Sequence, residues 1–417
     1  MFYLSFMDLS TFYTKILGLK SPWLVSKTEV DEKDKSVHLY LSHPEKTYFP
    51  CSECGCLSPV HDHNKERVWR HLNTCDHSTY LHASLPRVKC LNCGVHTIQA
   101  NWSDGKSHFT LQFESYIIDV LEQTQGVTRS GLILDLPPHQ VRYVRDKAVA
   151  RGLARRKQSM SYKVAHLCID EKSLFKGHHY VTVFYDGETG AVLEVVEHRT
   201  IEATNLGFNH LGKLIDLSKV EVVTMDMWEA FKSSTKTNLP NTPIVHDRFH
   251  LAQHLNKAVD ITRRAENKSL VKQKNECLKK TKYLWLKNPE KLTESKKEQL
   301  DSLLIKESLK TVQAYQQKEG FKKFFACKDA KQASLFFNDW YQQVSKSEIA
   351  PLIKEANMLK RNLPRLLTYF KNRVTNAMAE CKNAMIQQIK FKARGFKSAK
   401  AFRTSILFFC GELDLYP

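Results

Sequence analysis

The sequence has no run of about 18 or more apolar residues, the length a helix needs to cross a bilayer, so no transmembrane span and no membrane partner is expected. Its first stretch, MFYLSFMDLSTFY, is apolar but carries Asp8 and lacks both a basic leader region and a small-residue cleavage site. That absence argues against a secretory signal and for a helix packed on the body of the protein. Acid is also scarce. Asp plus Glu number 44 against 63 Lys plus Arg, a formal charge of +19. Such an excess points to a polyanionic partner, nucleic acid first, although a ribosome-bound or membrane-surface protein would carry the same imbalance.

The rest of the composition is that of a globular protein, with 42% hydrophobic and 26% charged residues. A chain of 417 residues can hold roughly two to four domains. Eleven cysteines without secretory features suit a reducing cytosol, where thiols bind metal or fill cores.

Those cysteines are unevenly spread. Cys51-Ser-Glu-Cys54 and Cys90-Leu-Asn-Cys93 are CxxC knuckles, each followed by glycine (Gly55, Gly94). Zinc prefers four soft ligands in a tetrahedron, and each knuckle supplies two thiolates from one tight turn. The spacing predicts a structural Zn²⁺ site made by Cys51, Cys54, Cys90 and Cys93. Cys56, Cys75, His61 and His63 are read as bystanders. Between the knuckles, segments such as STYLHASLPRVKC alternate in polarity, and a β-hairpin is expected there.

From Phe109 the period becomes helical, with Phe113, Ile117, Val120 and Leu121 on one face. GVTRSGLILDLPPHQVRYVRDKAVARGLARRK then reads as short helix, turn and basic helix, a proline opening the last. Val141, Val144 and Ala148 would face inward. Arg142, Arg145, Lys147 and Arg151 would enter a DNA groove, unless they are simply a solvated face. Arg155 and Arg156, with Lys157, are read as a linker tracking phosphates.

At Val164 the period changes to two. VAHLCIDE is a strand expected to end at Asp170, HHYVTVFYD and AVLEVVEHR follow around a GETG turn, and Asp186 is a turn residue. IEATNLGFNHLGKLI reads as helix, VEVVTMDMW as strand, EAFKSSTKT as helix, TPIVHD as strand and RFHLAQHLNKAV as helix. Three antiparallel strands followed by alternating helix and strand is the order of a ribonuclease-H-like sheet. In such a sheet the first and fourth strands are neighbours, bringing Asp170 and Asp226 together. Two acids that close repel unless a cation lies between them, and hard oxygen ligands suit Mg²⁺ or Mn²⁺. Asp247 also closes a strand and competes with Asp226, while Glu171 competes with Asp170. His250 and His254 stand one helical turn apart without an evident third ligand. Glu380, an acid amid Lys382, Lys390, Lys392 and Arg394, is the candidate third carboxylate. Ala377, Ala384 and Ile389 would pack its helix.

The order Asp170, Asp226, Glu380 resembles the DDE triad of bacterial insertion-sequence transposases, and TNAMAECKNAMIQQIKFKARGF and DRFHLAQHLNKAV resemble the "ISL-three" group in particular. The resemblance implies Asp170, Asp226 and Glu380 as catalytic ligands of Mg²⁺ or Mn²⁺. It also implies Asp247 and His250 as supporting residues of a DxxH signature; Lys390, Lys392 and Arg394 on the same helix as Glu380 either contact DNA or simply solvate a face. It implies a transposase that binds terminal inverted repeats of double-stranded DNA, cleaves there, and joins the ends to target DNA as a homodimer or larger assembly in the cytoplasm, at the nucleoid. A non-catalytic zinc and helix-turn-helix regulator, or a structure-specific nuclease of the same fold, are the alternatives.

The expected fold is multidomain α+β: an N-terminal helical and strand segment (1–45), a zinc-binding module (46–108), a helix-turn-helix domain (109–158), a ribonuclease-H-like core (159–260), an all-helical insertion domain (261–360) and the core's closing helices (361–417). Trp285, Tyr315 and Trp340 in the insertion would either stack on bases or anchor its helices, with anchoring the readier explanation.

Overall fold

In this computed structural model residues 8–159, 163–175, 177 and 179–417 are described. The chain forms two compact units, Met1–Arg155 with Leu413–Pro417, and Arg156–Glu412. Residues 1–7, the start of the apolar N-terminal stretch, lie outside the described residues. The helix expected there is α1 (Leu9–Ile16), capped by the Asp8 carboxylate, which accepts from the Thr11 amide.

The first unit continues with β1 (Leu24–Asp31), β2 (Ser36–Ser42), β3 (Tyr48–Pro50), β4 (Leu57–His63), β5 (Arg67–Arg70), β6 (Ser78–Ala83), β7 (Pro86–Cys90) and β8 (Gly94–Thr97). They make two four-stranded sheets, ordered β1-β2-β6-β5 and β3-β4-β7-β8. Trp23, Leu39, Phe49, Trp69, Leu81, Val88 and Trp102 share one core, so strands from residues 1–45 and 46–108 fold together. The hairpin expected between the knuckles is formed by β5 and β6, while STYLHASLPRVKC itself divides between the two sheets. β6 pairs with β2 and β5, whereas β7 pairs with β4 and β8. Alternation defines the faces of a strand and says nothing about its partner. Here buried Leu85 and Pro86 carry the apolar face from one sheet into the other.

Three helices follow: α2 (Leu111–Thr124), α3 (Val127–Leu134) and α4 (Pro138–Gln158). Thr110 caps α2, and Phe113, Ile117, Val120 and Leu121 are buried as their spacing requires. A Cβ at Gly131 would stand 2.5 Å from the Leu136 carbonyl oxygen, so the turn between α3 and α4 closes only over glycine. Pro138 opens α4, where its missing N–H costs nothing. Arg155, Arg156 and Lys157, expected as a linker, are helical. Nothing in LARRKQ breaks a helix, and Arg and Lys are good helix formers.

The second unit opens with β9 (His166–Ser173), β10 (Tyr180–Asp186) and β11 (Val192–Glu197), then α5 (Ile201–Leu211), β12 (Val222–Met225), α6 (Glu229–Asn238) and β13 (Ile244–His246). The sheet order is β11-β10-β9-β12-β13, antiparallel from β11 to β9 and parallel from β9 to β13. β9 does not stop at Asp170; pairing with β10 carries it on to Ser173. The middle strands are buried along nearly their whole length, the pattern of a sheet covered on both faces. Phe184, Phe208, Leu211, Val223 and Phe231 form the core between the sheet and α5 and α6. Asp186 accepts from the Glu188 amide and is the turn residue its position suggested.

Helices make up the remainder: α7 (Arg248–Lys272), α8 (Lys282–Leu286), α9 (Glu294–Leu304), α10 (Lys310–Phe321), α11 (Ala330–Ser345), α12 (Ala350–Asn372), α13 (Ala377–Lys392) and α14 (Ala399–Cys410). α7 and α12 run unbroken across residues 260 and 360. Trp285, Tyr315 and Trp340 are buried in the helical core, so they anchor helices. Among the described residues no helix is long and apolar enough to cross a membrane.

Candidate functional site

The cysteine knuckles converge. Cys51 follows β3 and Cys90 closes β7, two strands that flank β4 in one sheet. The glycines after the knuckles take φ of +73° at Gly55 and +87° at Gly94, a backbone that other residues resist. The four Sγ atoms lie within 4.8 Å of one another, with Cys54 and Cys90 at 3.6 Å. A tetrahedral ion with Zn–S bonds of ~2.3 Å would set its sulfurs ~3.8 Å apart. The donor set therefore fits zinc. Backbone amides of Asn92 and Cys93 lower the Cys90 thiol to about 6, while its hydrogen-bonded neighbour Cys54 raises Cys93 to about 12. One thiolate forms readily and the next resists, as expected where a cation is needed to complete ionisation.

The carboxylates are assembled by sheet register. Ile169, Met225 and His246 pair across β9, β12 and β13. One residue further along each strand stand Asp170, Asp226 and Asp247, three acids in a row. The His250 ring, one turn into α7, faces all three. Nε2 is 3.8 Å from Asp170 and 3.7 Å from Asp247, and Nδ1 is 3.7 Å from Asp226. Asp247 also caps α7, its Oδ1 accepting from the Phe249 amide. Glu380 lies in the first turn of α13. Burial raises the Asp247 carboxyl, and Asp170 and Asp226 push it further up, against the Phe249 hydrogen bond and His250. Desolvation raises Glu380, followed by Asp247 and Asp170, with His250 opposing. Four oxygen donors that disfavour one another's charge suit a hard divalent cation. They are looser than the thiols. Among the described residues only the four cysteines bring three or more metal-ligating groups within 4.8 Å.

Glu171, the alternative to Asp170, is on the other side of the strand and accepts from Arg199 at 2.7 Å. Sequence reasoning missed two residues at Asp170. Asn383 donates through Nδ2 to Asp170 Oδ2, and Tyr185 donates its hydroxyl proton to Asn383 Oδ1. Asn383 follows Glu380 by one helical turn, so helical spacing from the acid was the available signal. It also corrects the packing of α13. Ala377 and Ala384, expected inward, are exposed, and the buried face is Ala379, Asn383, Ile386 and Ile389. The polar anchor at Asn383, rather than the alanines, sets which face turns in.

The basic side chains expected on DNA divide sharply. Arg142 is exposed and forms no ion pair among the described residues. Lys147 and Arg151 instead pair with buried Glu114, at 2.7 and 3.1 Å. Arg145 is buried and pairs with Asp146. Arg155 pairs with Asp414, and Arg156 is buried with its guanidinium on the Gly411 carbonyl. Lys390 donates to the Ser173 carbonyl, while Lys392 and Arg394 are exposed. A charged helix face can serve its own fold before it serves a partner. Glu114 is the reason here.

Two family profiles match the chain. One, described as a transposase and of the ISL3 DDE type, matches residues 167–406. The other, described as the zinc-finger of transposase IS204/IS1001/IS1096/IS1165, matches residues 47–93. The transposase for insertion sequence element IS1001 of Bordetella parapertussis is 26% identical over 377 residues, covering 89% of this chain and 91% of that protein. The transposase for insertion sequence element IS1557 of Mycobacterium tuberculosis is 23% identical over 379 residues, covering 84% and 83%.

Proposed function

The chain belongs to the ISL3 family of DDE transposases, and on that premise we propose that it frees the ends of an insertion sequence and joins them to target DNA. Asp170, Asp226 and Glu380 would hold divalent ions, Mg²⁺ or Mn²⁺, with Asp247 and His250 in support. Such ions, when bound, stabilise the attacking and leaving oxygens of a phosphodiester displacement without a covalent protein nucleophile. The chain's own residues prepare for this. Asn383 fixes one Asp170 oxygen, Asp247 is tethered to the start of α7, and the His250 ring nitrogens stand 3.7–3.8 Å from the oxygens of all three aspartates.

The observation that carries the reading is the acid row formed by Asp170 within β9 and by Asp226 and Asp247 just past β12 and β13, with Glu380 on a later helix. The sheet order supports a ribonuclease-H-like core, α8 to α11 an all-helical insertion, and the proline-opened α4 a helix-turn-helix that would present Arg142 to terminal inverted repeats. Cys51, Cys54, Cys90 and Cys93 would hold a structural Zn²⁺. Two or more copies would be needed to pair two ends.

Asp226→Asn should leave binding of a labelled transposon end intact while lowering Mg²⁺-dependent cleavage by about 1,000-fold or more, the scale of losing a stabilising group at the reacting centre. Undiminished cleavage overturns the assignment. Cleavage by the unmodified protein without joining to target DNA would make it a nuclease, and no cleavage at all a regulator.

A further inference from the structure

Trp228 lies two residues beyond Asp226 and is 41% exposed, yet its indole is held firmly from within. The indole N–H donates to the Arg199 carbonyl at 2.9 Å. The Arg199 guanidinium stands 4.5 Å from the Trp228 ring and 4.0 Å from the Tyr180 ring. Both oxygens of Glu171 accept from Arg199 Nη1, at 2.7 and 2.9 Å. The assembly is a layered stack of Tyr180, Arg199 and Trp228. Glu171 pins it from the face of β9 opposite Asp170, and Trp228 closes it two residues beyond Asp226. Phe249, 51% exposed and packed edge-on against His250, adds a second ring in the first turn of α7.

A large aromatic held rigid and left open is the kind of surface that binds by stacking, because little side-chain freedom remains to be lost. Trp228 stands at the start of α6 just after Asp226, and the Arg199 guanidinium beneath the ring feels the Asp226 charge, so the ring borders the acid row from the far side of the sheet. We propose that Trp228 is the platform on which the DNA base next to the cut phosphodiester stacks. The inference rests on the transposase reading of this site and adds a base contact to it. Every base has a π face, so the contact tolerates sequence, and a cut strand ends its own stack and leaves such a face uncovered. Arg199 beneath the ring adds positive charge near the phosphates that flank that base.

The test is a cycle between protein and DNA. Trp228→Ala and Trp228→Phe are compared on transposon ends that carry either a normal nucleotide or an abasic site on each side of the cut in turn. Trp228→Ala should lower cleavage kcat/KM about 10- to 100-fold on normal ends, the range of one lost base–aromatic stack, with Trp228→Phe keeping most of the rate. On the abasic end the unmodified protein should already show that loss, and Trp228→Ala should add none. A 2-aminopurine at the same position should be quenched by the unmodified protein and not by Trp228→Ala. Equal losses on normal and abasic ends would reduce Trp228 to a cover for Arg199 and overturn the proposal, as would no loss at all. The abasic comparison on the unmodified protein stands even where the alanine variant fails to fold. Asp226→Asn should abolish cleavage and keep the quench, so an active Asp226→Asn refutes the site while a missing quench refutes the stack.

Discussion

The thiol centre and the carboxylate centre each draw on four side chains, but they are built in opposite ways. Cys51, Cys54, Cys90 and Cys93 sit in two tight turns at the ends of neighbouring strands, and their sulfurs already lie within 4.8 Å of one another. Asp170, Asp226, Asp247 and Glu380 come from the middle of one strand, the ends of two others and a distant helix, and the first three share only the perimeter of the His250 ring. Chemistry explains the contrast. One thiol ionises readily while its neighbour Cys93 holds its proton, so the four sulfurs can lie close together before metal arrives. Carboxylates at neutral pH are charged and hold one another apart, so burial and repulsion leave Asp247 and Glu380 with raised affinity for protons. The first site is closed before any ion arrives, and the second is left open.

The largest effect should come from breaking the thiol centre. Cys90→Ser, or prolonged chelation, should release one zinc per chain and lower the stability of the N-terminal unit by on the order of 5 kcal/mol, less than the ~10–16 kcal/mol seen where zinc is the whole fold, since a core of three tryptophans remains. Metal analysis and thermal melting measure it, and Asp226→Asn should leave that melting transition in place. Retained zinc in the serine variant would erase the distinction between the two centres.

An intermediate effect sharpens the other side of the comparison. Asn383→Ala removes a hydrogen bond to a carboxylate, worth about 1.5–3 kcal/mol, so cleavage should fall roughly 10- to 100-fold with end binding unchanged. Tyr185→Phe, one bond further out, should cost less. If neither variant alters the cleavage rate, Asp170 does not depend on this anchor.

The smallest effect lies away from both centres. His254 accepts a raised pKa chiefly from its 3.0 Å hydrogen bond to Glu355, which joins α7 to α12. A histidine with a raised folded pKa stabilises fully below its ordinary value near 6.5 and loses that contribution as pH rises through the raised value. Melting of the unmodified protein between pH 6 and pH 8.5 should therefore show a loss of about 0.5–1 kcal/mol that Glu355→Gln removes. A pH dependence unchanged in that variant would place the titrating group elsewhere.

Much of this was readable along the chain because it is local. The knuckles, the inward faces of α2 and α4, and the order of strands and helices from β9 to the start of α7 all follow from spacing and period. What escaped was partnership. β6 and β7 alternate as hairpin strands do, but join different sheets. Lys147 and Arg151 gave no sign along the chain of their ion pairs with buried Glu114, which comes from another helix. Asp247 read as a rival of Asp226, whereas register sets both in one row with Asp170. Asn383 carried no mark of its own, since only its turn-wise distance from Glu380 distinguished it from any helical asparagine.

The sequence by itself determined where the thiols would turn, where the period changes from helix to strand, and that the chain would carry a strong positive charge, because each depends on neighbours within a few residues. Tertiary structure alone decided which acids stand side by side, which cations are claimed internally and which aromatic ring is left facing out. Those outcomes depend on strand register and on side chains brought from distant segments, where one residue of shift would turn every carboxylate of a strand to the opposite face.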